Sequence, residues 1–354
     1  MAHRTPAPRS ILILLATLAM PPLAPLPAPC QIRTRLPTPT VTFTVGGEHT
    51  GTMPDFGSIH EAVEAAPPEG AIIHIRPGVY REVIHVDHPN IQLRGIDKDP
   101  TKVVIIYNNG ATNTCGTFCS PTMFVSGDDF FAENLTIAND WGKSGRPRTQ
   151  AVALSITADR AILRNVRLLG EQDTLMAGSK PCKPSAEVTC HTARQLFQHC
   201  YIEGEVDFIF GDAKAVFENC EIHSVPHPAG GYLTAQSRQA GEDSGYVFDH
   251  CRLTADPGAG KVYLGRPWRD YATVVFLNTE MGSHIQPEGW SEWHRGETNR
   301  LQTTTYAEFN SSGPGGNPAA REPLSHQFTA EQAKAYLPAN FLAGDDHWKP
   351  ERMK

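Results

Sequence analysis

The sequence predicts an all-β protein built as a parallel β-helix solenoid with short flanking helices. Three observations carry this prediction. Short apolar runs follow one another with Gly, Pro, Asn and Asp between them, which is typical of many short strands. The periodicity of an amphipathic helix is rare along the chain. From Phe131 onward, a set of apolar and polar positions recurs at a spacing of 20 to 34 residues.

The repeat is anchored on a polar residue that takes the same position in six segments: Asn134, Asn165, His199, Asn219, His250 and Asn278. Two residues earlier every segment has an apolar side chain, and in the last four segments it is Phe197, Phe217, Phe248 and Phe276. A constant rung with loops of varying length is typical of a parallel β-helix, because coils stack while insertions bulge outward. The alternative is a β-sandwich with a chance alignment. The repeat ends after Thr305.

The remaining elements are placed in chain order. Residues 1–29 are predicted to be a secretory signal peptide, residues 30–40 a linker, and residues 41–354 one catalytic domain. Helices are predicted at Ser58–Ala66 and Thr329–Tyr336, because each begins with a capping-box pattern. The strands predicted before the repeat are Val41–Val45, Ile72–Ile75, Val83–Val86, Ile91–Leu93 and Val103–Tyr107.

Charge and targeting limit the partners. The formal net charge is −7 and no Lys/Arg-rich run occurs, so nucleic acid is not an expected partner. The apolar run Ile11–Met20 is too short to span a bilayer, and no membrane association is expected. A signal peptide indicates a secreted or periplasmic protein, which we expect to be a monomer. The cleavage site stays open because Pro21–Pro29 surrounds it, and Cys30 leaves lipidation as an alternative.

The eight cysteines fall into two kinds. The close pairs Cys115/Cys119 and Cys182/Cys190 lie in loops, and export makes a local disulfide plausible for each. Neither pair has a matching second pair at zinc-ribbon spacing, so no metal site is predicted. A second group shares one rung position and is expected to be buried and reduced: Cys200, Cys220 and Cys251.

Two aspartates stand at equivalent positions in adjacent segments. Asp173 lies eight residues after Asn165, and Asp207 lies eight residues after His199. If these segments are successive coils, the two carboxylates lie on neighbouring strands, roughly 4.8 Å apart. Carboxylates that close do not ionise together easily, so one stays an anion while the other holds a proton. This arrangement suits a nucleophile beside a general acid. The alternative is a pair of solvated turn residues.

Other constellations are absent or less specific. The sequence contains no G-x-S-x-G, H-E-x-x-H, Walker A or G-x-G-x-x-G motif, and no cofactor is expected. Downstream, the segment LGRPW offers Arg266, which can hold a carboxylate with two hydrogen bonds, and Trp268, a flat surface on which a sugar ring can stack. A core position for Trp268 is an equal alternative.

Six segments in order along residues 41–345 resemble the motifs of the pectin methylesterase family: PGVYREV, QAVAL, QDTL, DFIFG, GYLTAQSR and LGRPW. The resemblance implies a right-handed parallel β-helix that removes methyl groups from the galacturonate esters of pectin without a metal. Two departures from the family pattern, Ser155 after QAVAL and the insert at residues 178–191, affect the expected subsite preference only.

The same resemblance assigns roles to single residues. It implies that Asp207 is the nucleophile and Asp173 the acid/base, with Arg266 as the partner of Asp207. It implies that Gln150 and Gln172 donate to the oxyanion. The residues expected to contact pectin are Trp268, Arg266, Gln150 and Tyr80.

Two other functions stay open at this point. A glycoside hydrolase on the same solenoid would also use two close carboxyl groups, but it would cut the polysaccharide chain and would not need two Gln donors. A non-catalytic polysaccharide-binding solenoid would keep Trp268 but would have no use for two aspartates in register. Methanol release from methylated pectin would separate the three.

Overall fold

The computed structural model describes residues 1–3, 38–47, 53–183, 190–294, 296 and 299–350. Residues 4–37, which carry most of the predicted signal peptide and linker, lie outside the described residues, and so does Cys30. The described residues from 38 to 350 belong to one compact unit. No helix among the described residues is long and apolar enough to cross a membrane.

Short strands dominate the described chain, and they are numbered here in sequence order. The strands are β1 Thr42–Val45, β2 Ala71–Ile75, β3 Gly78–Tyr80, β4 Ile84–Val86, β5 Ile91–Gly95, β6 Val103–Tyr107, β7 Met123–Val125, β8 Phe131–Asn139, β9 Leu154–Ile156, β10 Ala161–Leu169, β11 Leu175–Ala177, β12 Arg194–Gln198, β13 Tyr201–Gly204, β14 Val206–Gly211, β15 Lys214–Glu218, β16 Glu221–Ser224, β17 Gly231–Gln236, β18 Gly245–Asp249, β19 Arg252–Ala255, β20 Val262–Gly265, β21 Thr273–Leu277, β22 Glu280–Met281, β23 Thr305–Phe309 and β24 His326–Gln327.

The helices are few and short. The α-helices are α1 Ile59–Glu64, α2 Ala330–Ala333 and α3 Pro338–Phe341, and the 3-10 helices are Thr117–Cys119, Trp141–Lys143, Pro318–Ala320 and Lys334–Tyr336. The two predicted helices are present: α1 is shorter than expected, and the second is divided into α2 and the 3-10 helix Lys334–Tyr336. Ser58 caps α1 through Glu61 N, and Thr329 and Gln332 form the predicted capping box of α2. The sequence pattern did not indicate α3.

The strands stack into a right-handed parallel β-helix, as predicted. Seven strands form one sheet in the order β20-β17-β14-β11-β9-β7-β4, and the other seventeen form a second bonded set. Every described strand pair is parallel, and its partners belong to successive coils, for example Phe197 with Phe217 and Phe217 with Phe248. The seven-stranded sheet carries the residues with candidate chemistry.

Backbone geometry explains the polar anchor of the repeat. All six anchor residues have positive φ, between 49° for Asn278 and 56° for Asn134. The left-handed region is costly for most side chains, and Asn and His are among the residues enriched there. Neighbouring anchors also bond to each other, since Asn165 Nδ2 donates to Asn134 Oδ1 at 2.9 Å. The anchor therefore turns each coil at the same place and fixes the register of the residues that follow it.

The core confirms the predicted phenylalanine stack. Ring centroids are 4.7 Å apart for Phe197 and Phe217, 4.5 Å for Phe217 and Phe248, and 4.6 Å for Phe248 and Phe276. The three rung cysteines are free and buried, as expected: Cys200, Cys220 and Cys251. Both predicted disulfides form, Cys115–Cys119 and Cys182–Cys190.

The repeat runs one coil further than the sequence indicated. Strand β23 pairs with β21 in register, and Asn310, with φ of 55°, takes the anchor position. The prediction that the repeat ends after Thr305 is therefore wrong. Glu308 stands where earlier coils have Phe, and its buried carboxylate receives two hydrogen bonds from Arg321, at 2.7 and 3.2 Å. An ion pair replaces the aromatic layer here, so this coil lacks the apolar residue by which the sequence repeat was recognised.

We expect Arg321→Met to lower the free energy of unfolding by about 3–5 kcal/mol, because it leaves the Glu308 carboxylate buried without its partner. The double variant Arg321→Met with Glu308→Phe should recover at least half of that loss, since Phe restores the aromatic layer next to Phe276. Denaturant unfolding of both variants measures this. A double variant no more stable than Arg321→Met would show that the pair is not the cause.

Candidate active site

The two candidate aspartates lie in register on adjacent strands. Strands β11 and β14 are neighbours in the seven-stranded sheet, with Leu175 opposite Ile209. Asp173 and Asp207 stand two residues earlier on each coil, and the Asp173 amide donates to Val206 O at 3.1 Å. The structure thus places the two residues as the count from the anchors predicted.

Local backbone geometry turns both side chains away from the ordinary strand pattern. Asp173 has φ of 64° and Asp207 has φ of 50°. The pairing of β14 with β17 shifts register between Val206 and Ile209, so the coil bulges at Asp207. Bulges re-aim side chains and are frequent beside active sites. Both aspartates are nevertheless largely buried, with 9% and 7% of their surface exposed.

Arg266 holds one aspartate and not the other. Its Nε donates to Asp207 Oδ1 at 2.9 Å and its Nη2 to Asp207 Oδ2 at 2.7 Å, a bidentate pair. Its Nη1 donates to the backbone oxygen of Trp293 at 3.2 Å. Arg266 follows β20, which is two strands away from β14 in the sheet. The side chain therefore crosses β17 to reach the carboxylate.

The environments of the two carboxyl groups raise their pKa values to different extents. Burial and the nearby Asp207 raise the pKa of Asp173 well above its usual range, although Arg266 opposes this. Burial also raises the pKa of Asp207, but its hydrogen bonds and charge interaction with Arg266 act against the rise. Asp207 is therefore the group that ionises more readily, and Asp173 is the one that keeps a proton.

Two glutamines lie on the neighbouring turns. The Ala151 amide donates to Gln172 O at 3.1 Å, which joins the turn after Gln150 to the turn before Asp173. The Thr149 hydroxyl donates to Gln150 Oε1 at 3.2 Å. Within the described part of the chain, the side-chain NH₂ groups of Gln150 and Gln172 donate to no protein acceptor. Both glutamine side chains are half-buried, and Gln172 directly precedes Asp173.

An apolar patch on the outer face of the same sheet adjoins these polar groups. We call it the apolar floor, and it consists of Val152, Met176, Phe210, Ala235, Trp268 and Trp293. Trp268 packs edge-on against Phe210 at 6.0 Å and stays half-buried. The sequence left a core position for Trp268 as an equal alternative, and the structure places it on this outer patch. A flat apolar surface beside polar donors is the kind of surface on which a sugar ring packs.

Tyr80 does not join this group. It ends β3, which pairs with β6 outside the seven-stranded sheet. Its ring is buried in the core and its hydroxyl donates to Arg76 O at 2.8 Å. Because the ring is buried and lies outside the sheet of the aspartates, this placement corrects the expectation that Tyr80 contacts the polysaccharide, and we leave it out of the site.

Two aromatic residues of the site were not found from the sequence. The Arg266 Cζ atom lies 4.0 Å from the ring centroid of Tyr232 and 4.4 Å from that of Trp293. A signal for one of them exists, because Tyr232 and Tyr263 stand opposite each other on β17 and β20. Trp293 lies in a loop whose position no strand periodicity indicates.

Comparison with known proteins identifies the family of this chain. The Pectinesterase family model matches residues 43–345. The chain is 35% identical over 304 residues to "Putative pectinesterase 11" of Arabidopsis thaliana, covering 84% of this chain and 78% of that protein.

Solved structures extend the comparison. A pectin methylesterase from carrot superposes with a TM-score of 0.75 at 29% identity, covering 85% of this chain and 93% of that one. A pectin methylesterase in complex with a hexasaccharide gives a TM-score of 0.73 at 28% identity, covering 88% of this chain and 99% of that one. With the family model spanning most of its length, the chain belongs to the pectinesterase family and is an ester hydrolase.

Proposed function

We propose that this enzyme removes methyl groups from methyl-esterified homogalacturonan, giving pectate and methanol through an Asp nucleophile and an Asp acid/base. The observation that carries the proposal is the unequal aspartate pair. Asp173 and Asp207 stand in register on adjacent strands, and only Asp207 is bound by Arg266. One site thus offers an anion and a proton donor side by side, with no other group required to supply either.

The first step is attack by Asp207 on the ester carbonyl carbon. Arg266 keeps this carboxylate ionised and fixes its orientation through two hydrogen bonds. The attack forms a bond from a carboxylate oxygen to the carbonyl carbon and moves the carbonyl electrons onto oxygen. A fixed carboxylate loses little orientational freedom in this step, which lowers the barrier.

The oxyanion that develops requires fixed donors. We assign this role to the amide NH₂ groups of Gln150 and Gln172, which lie on the adjoining turns. In other enzymes the loss of one such donor costs about 3–4 kcal/mol of transition-state stabilisation. Collapse of the tetrahedral intermediate then breaks the bond to the methoxy oxygen and leaves an acyl-enzyme anhydride on Asp207.

Asp173 handles the protons of both halves of the reaction. Its buried acid form protonates the departing methoxy oxygen, so methanol leaves as a neutral molecule. The resulting carboxylate then takes a proton from water, which attacks the anhydride and frees the galacturonate acid. At the end Asp173 is protonated and Asp207 is a carboxylate again, so the cycle closes.

The substrate class is supported by the surface and by a relative. In the apolar floor Trp268 packs against Phe210, which lies on β14, the strand that carries Asp207. A sugar ring requires a flat apolar surface of this kind. A solved pectin methylesterase of the same fold is titled as a complex with a hexasaccharide. The two disulfides fit an exported protein, and we propose that the mature enzyme acts as a monomer outside the cytoplasm, either secreted or periplasmic.

Methanol release and viscosity measured on one sample of highly methylated pectin test the proposal. We expect methanol to appear at the same rate as titratable acid, while the viscosity of the polysaccharide does not fall through chain cutting. A glycoside hydrolase would lower viscosity without methanol, and a binding protein would do neither. Either of those results would overturn the proposed function.

Arg266→Ala should move the acidic limb of the kcat/KM profile to higher pH, by about one unit or more. The direction follows because Arg266 lowers the pKa of Asp207 against the effect of burial. Without the guanidinium, the reactive carboxylate is protonated at a higher pH as the pH falls. The measurement is kcat/KM for methanol release across the acidic range.

Arg252→Ala is the matched control for this prediction. Arg252 also pairs with a carboxylate, Glu221, but it does so on β19 outside the seven-stranded sheet. We expect its acidic limb to coincide with that of the unmodified enzyme. An Arg266→Ala profile that also coincides would show that Arg266 does not set the ionisation of the nucleophile.

A further inference from the structure

The Arg266 side chain must be held in an extended conformation over the sheet to reach Asp207. The strand order β20-β17-β14 places β17 between the end of β20, where Arg266 begins, and Asp207 on β14. Two strand spacings are roughly 9.6 Å, so the side chain must extend across β17 to reach the carboxylate. An extended arginine lying over a sheet needs a surface that holds it there.

Aromatic rings supply that surface. Tyr232 stands on β17, opposite Val206 on β14 and Tyr263 on β20. Its ring centroid is 4.0 Å from Arg266 Cζ, and the ring of Trp293 is 4.4 Å from the same atom. Tyr232 is in turn stacked on Tyr263 at 5.5 Å, with 16° between the ring planes.

Hydrogen bonds and rings restrain the guanidinium in different directions. The three bonds to Asp207 and to the Trp293 backbone lie in the guanidinium plane and use its edges. They do not prevent the plane from tilting. Rings packed against the planar group restrain the tilt, and they also keep water away from the ion pair, which limits screening by salt.

We propose that Tyr232 and Trp293 are positioning residues that clamp Arg266 across β17 and thereby hold Asp207 in its attacking orientation. The inference rests on the proposed function, since it concerns how the same nucleophile is held. Tyr232 gives the cleaner test, because Trp293 also belongs to the apolar floor and so borders the substrate surface.

Tyr232→Ala should lower kcat for methanol release about ten-fold, which corresponds to the loss of one well-packed cation–π contact. KM should change less than about two-fold, since Tyr232 is not part of the apolar floor. Tyr232→Phe keeps a ring under the guanidinium and should recover most of the activity. Tyr232→Leu keeps bulk without the aromatic face and should resemble Tyr232→Ala, which also covers the event that the Ala variant folds poorly.

A double-mutant cycle with Arg266→Ala decides whether Tyr232 acts through Arg266. In the Arg266→Ala background, Tyr232→Ala should lower kcat by less than about two-fold, because the group that it positions is already gone. The matched control is Tyr263→Ala, which removes the ring stacked on Tyr232 and leaves the rings of Tyr232 and Trp293 in place against the guanidinium. It should lower kcat by less than about two-fold.

Three results would overturn the inference: full activity in Tyr232→Ala, a Tyr232→Phe variant as slow as Tyr232→Ala, or additive losses in the double variant. These differ from failure of the proposed function. If the proposed function is wrong, the unmodified enzyme releases no methanol. If only the positioning role of Tyr232 is wrong, the unmodified enzyme still releases methanol, and only the kcat values of the Tyr232 variants differ from those expected.

Discussion

Asp207→Ala is expected to abolish methanol release from methylated pectin, with a loss of more than about 10⁴-fold in kcat. The reason is that no covalent intermediate can form without this carboxylate. The loss should extend to an activated ester such as the p-nitrophenyl ester of galacturonate, because attack precedes departure of either leaving group. The measurement is turnover of both substrates by the same purified sample.

The fold should tolerate this change, so the loss can be assigned to chemistry. Burial raises the pKa of Asp207, so the ionised carboxylate lowers the stability of the folded protein at neutral pH, and Ala removes that cost. The variant does leave Arg266 without its bidentate partner, so thermal unfolding must be measured alongside activity. Asp243→Ala is the control for an Asp-to-Ala change as such, because Asp243 is exposed and pairs with Lys214 away from the site. This variant should keep the activity of the unmodified enzyme. Substantial activated-ester turnover by Asp207→Ala would exclude it as the nucleophile.

The register of the aspartate pair was predictable because the backbone fixes it locally. Asn165 and His199 adopt nearly the same left-handed geometry, with φ of 51° and 52°. Each coil therefore starts its next segment from the same place, and an equal number of residues leads to Asp173 and Asp207. Counting residues along the chain predicts the register correctly here because the same left-handed turn begins the segment on every coil.

The surroundings of Arg266 were not predictable by the same means. Trp293 comes from an irregular loop, and Tyr232 reaches Arg266 only because the side chain crosses a strand. No periodicity encodes such a crossing. For Tyr80 the sequence predicted a contact with substrate that the structure does not support. Its segment resembles a family motif, but its hydroxyl donates to the backbone oxygen of Arg76 inside the core. A motif identifies a segment, but burial decides which of its side chains face the substrate.

The last coil was missed for an energetic reason. The sequence rule required an apolar residue before the anchor, and Glu308 breaks that rule while Asn310 keeps its place in the turn. Arg321 makes the substitution tolerable by donating to the buried carboxylate from a segment outside the repeat. A long-range partner of this kind is invisible to a local pattern.

Asp173→Asn is expected to slow methanol release by about 10² to 10⁴-fold, the usual contribution of general acid–base catalysis. Asn fills the same space but cannot give a proton to the methoxy group. An activated ester leaves without a proton, so its acylation step should be much less affected. The ratio of activated-ester to methyl-ester kcat/KM, which reports the acylation step, should therefore rise in Asp173→Asn, while Asp207→Ala turns over neither substrate.

The same variant carries a stability signature that is independent of activity. Burial and Asp207 raise the pKa of Asp173 in the folded protein, so the native state binds a proton that the unfolded chain has already lost between the unfolded pKa and the raised one. Stability of the unmodified enzyme therefore falls as pH rises through that window. Asp173→Asn has no proton to lose, so its Tm should decline less over the same range and exceed that of the parent at neutral pH. An unchanged pH dependence of Tm in Asp173→Asn would show that Asp173 is not the member of the pair that holds the proton. For the activity measurement, loss of activated-ester turnover by Asp173→Asn together with its retention by Asp207→Ala would show that the two roles are reversed.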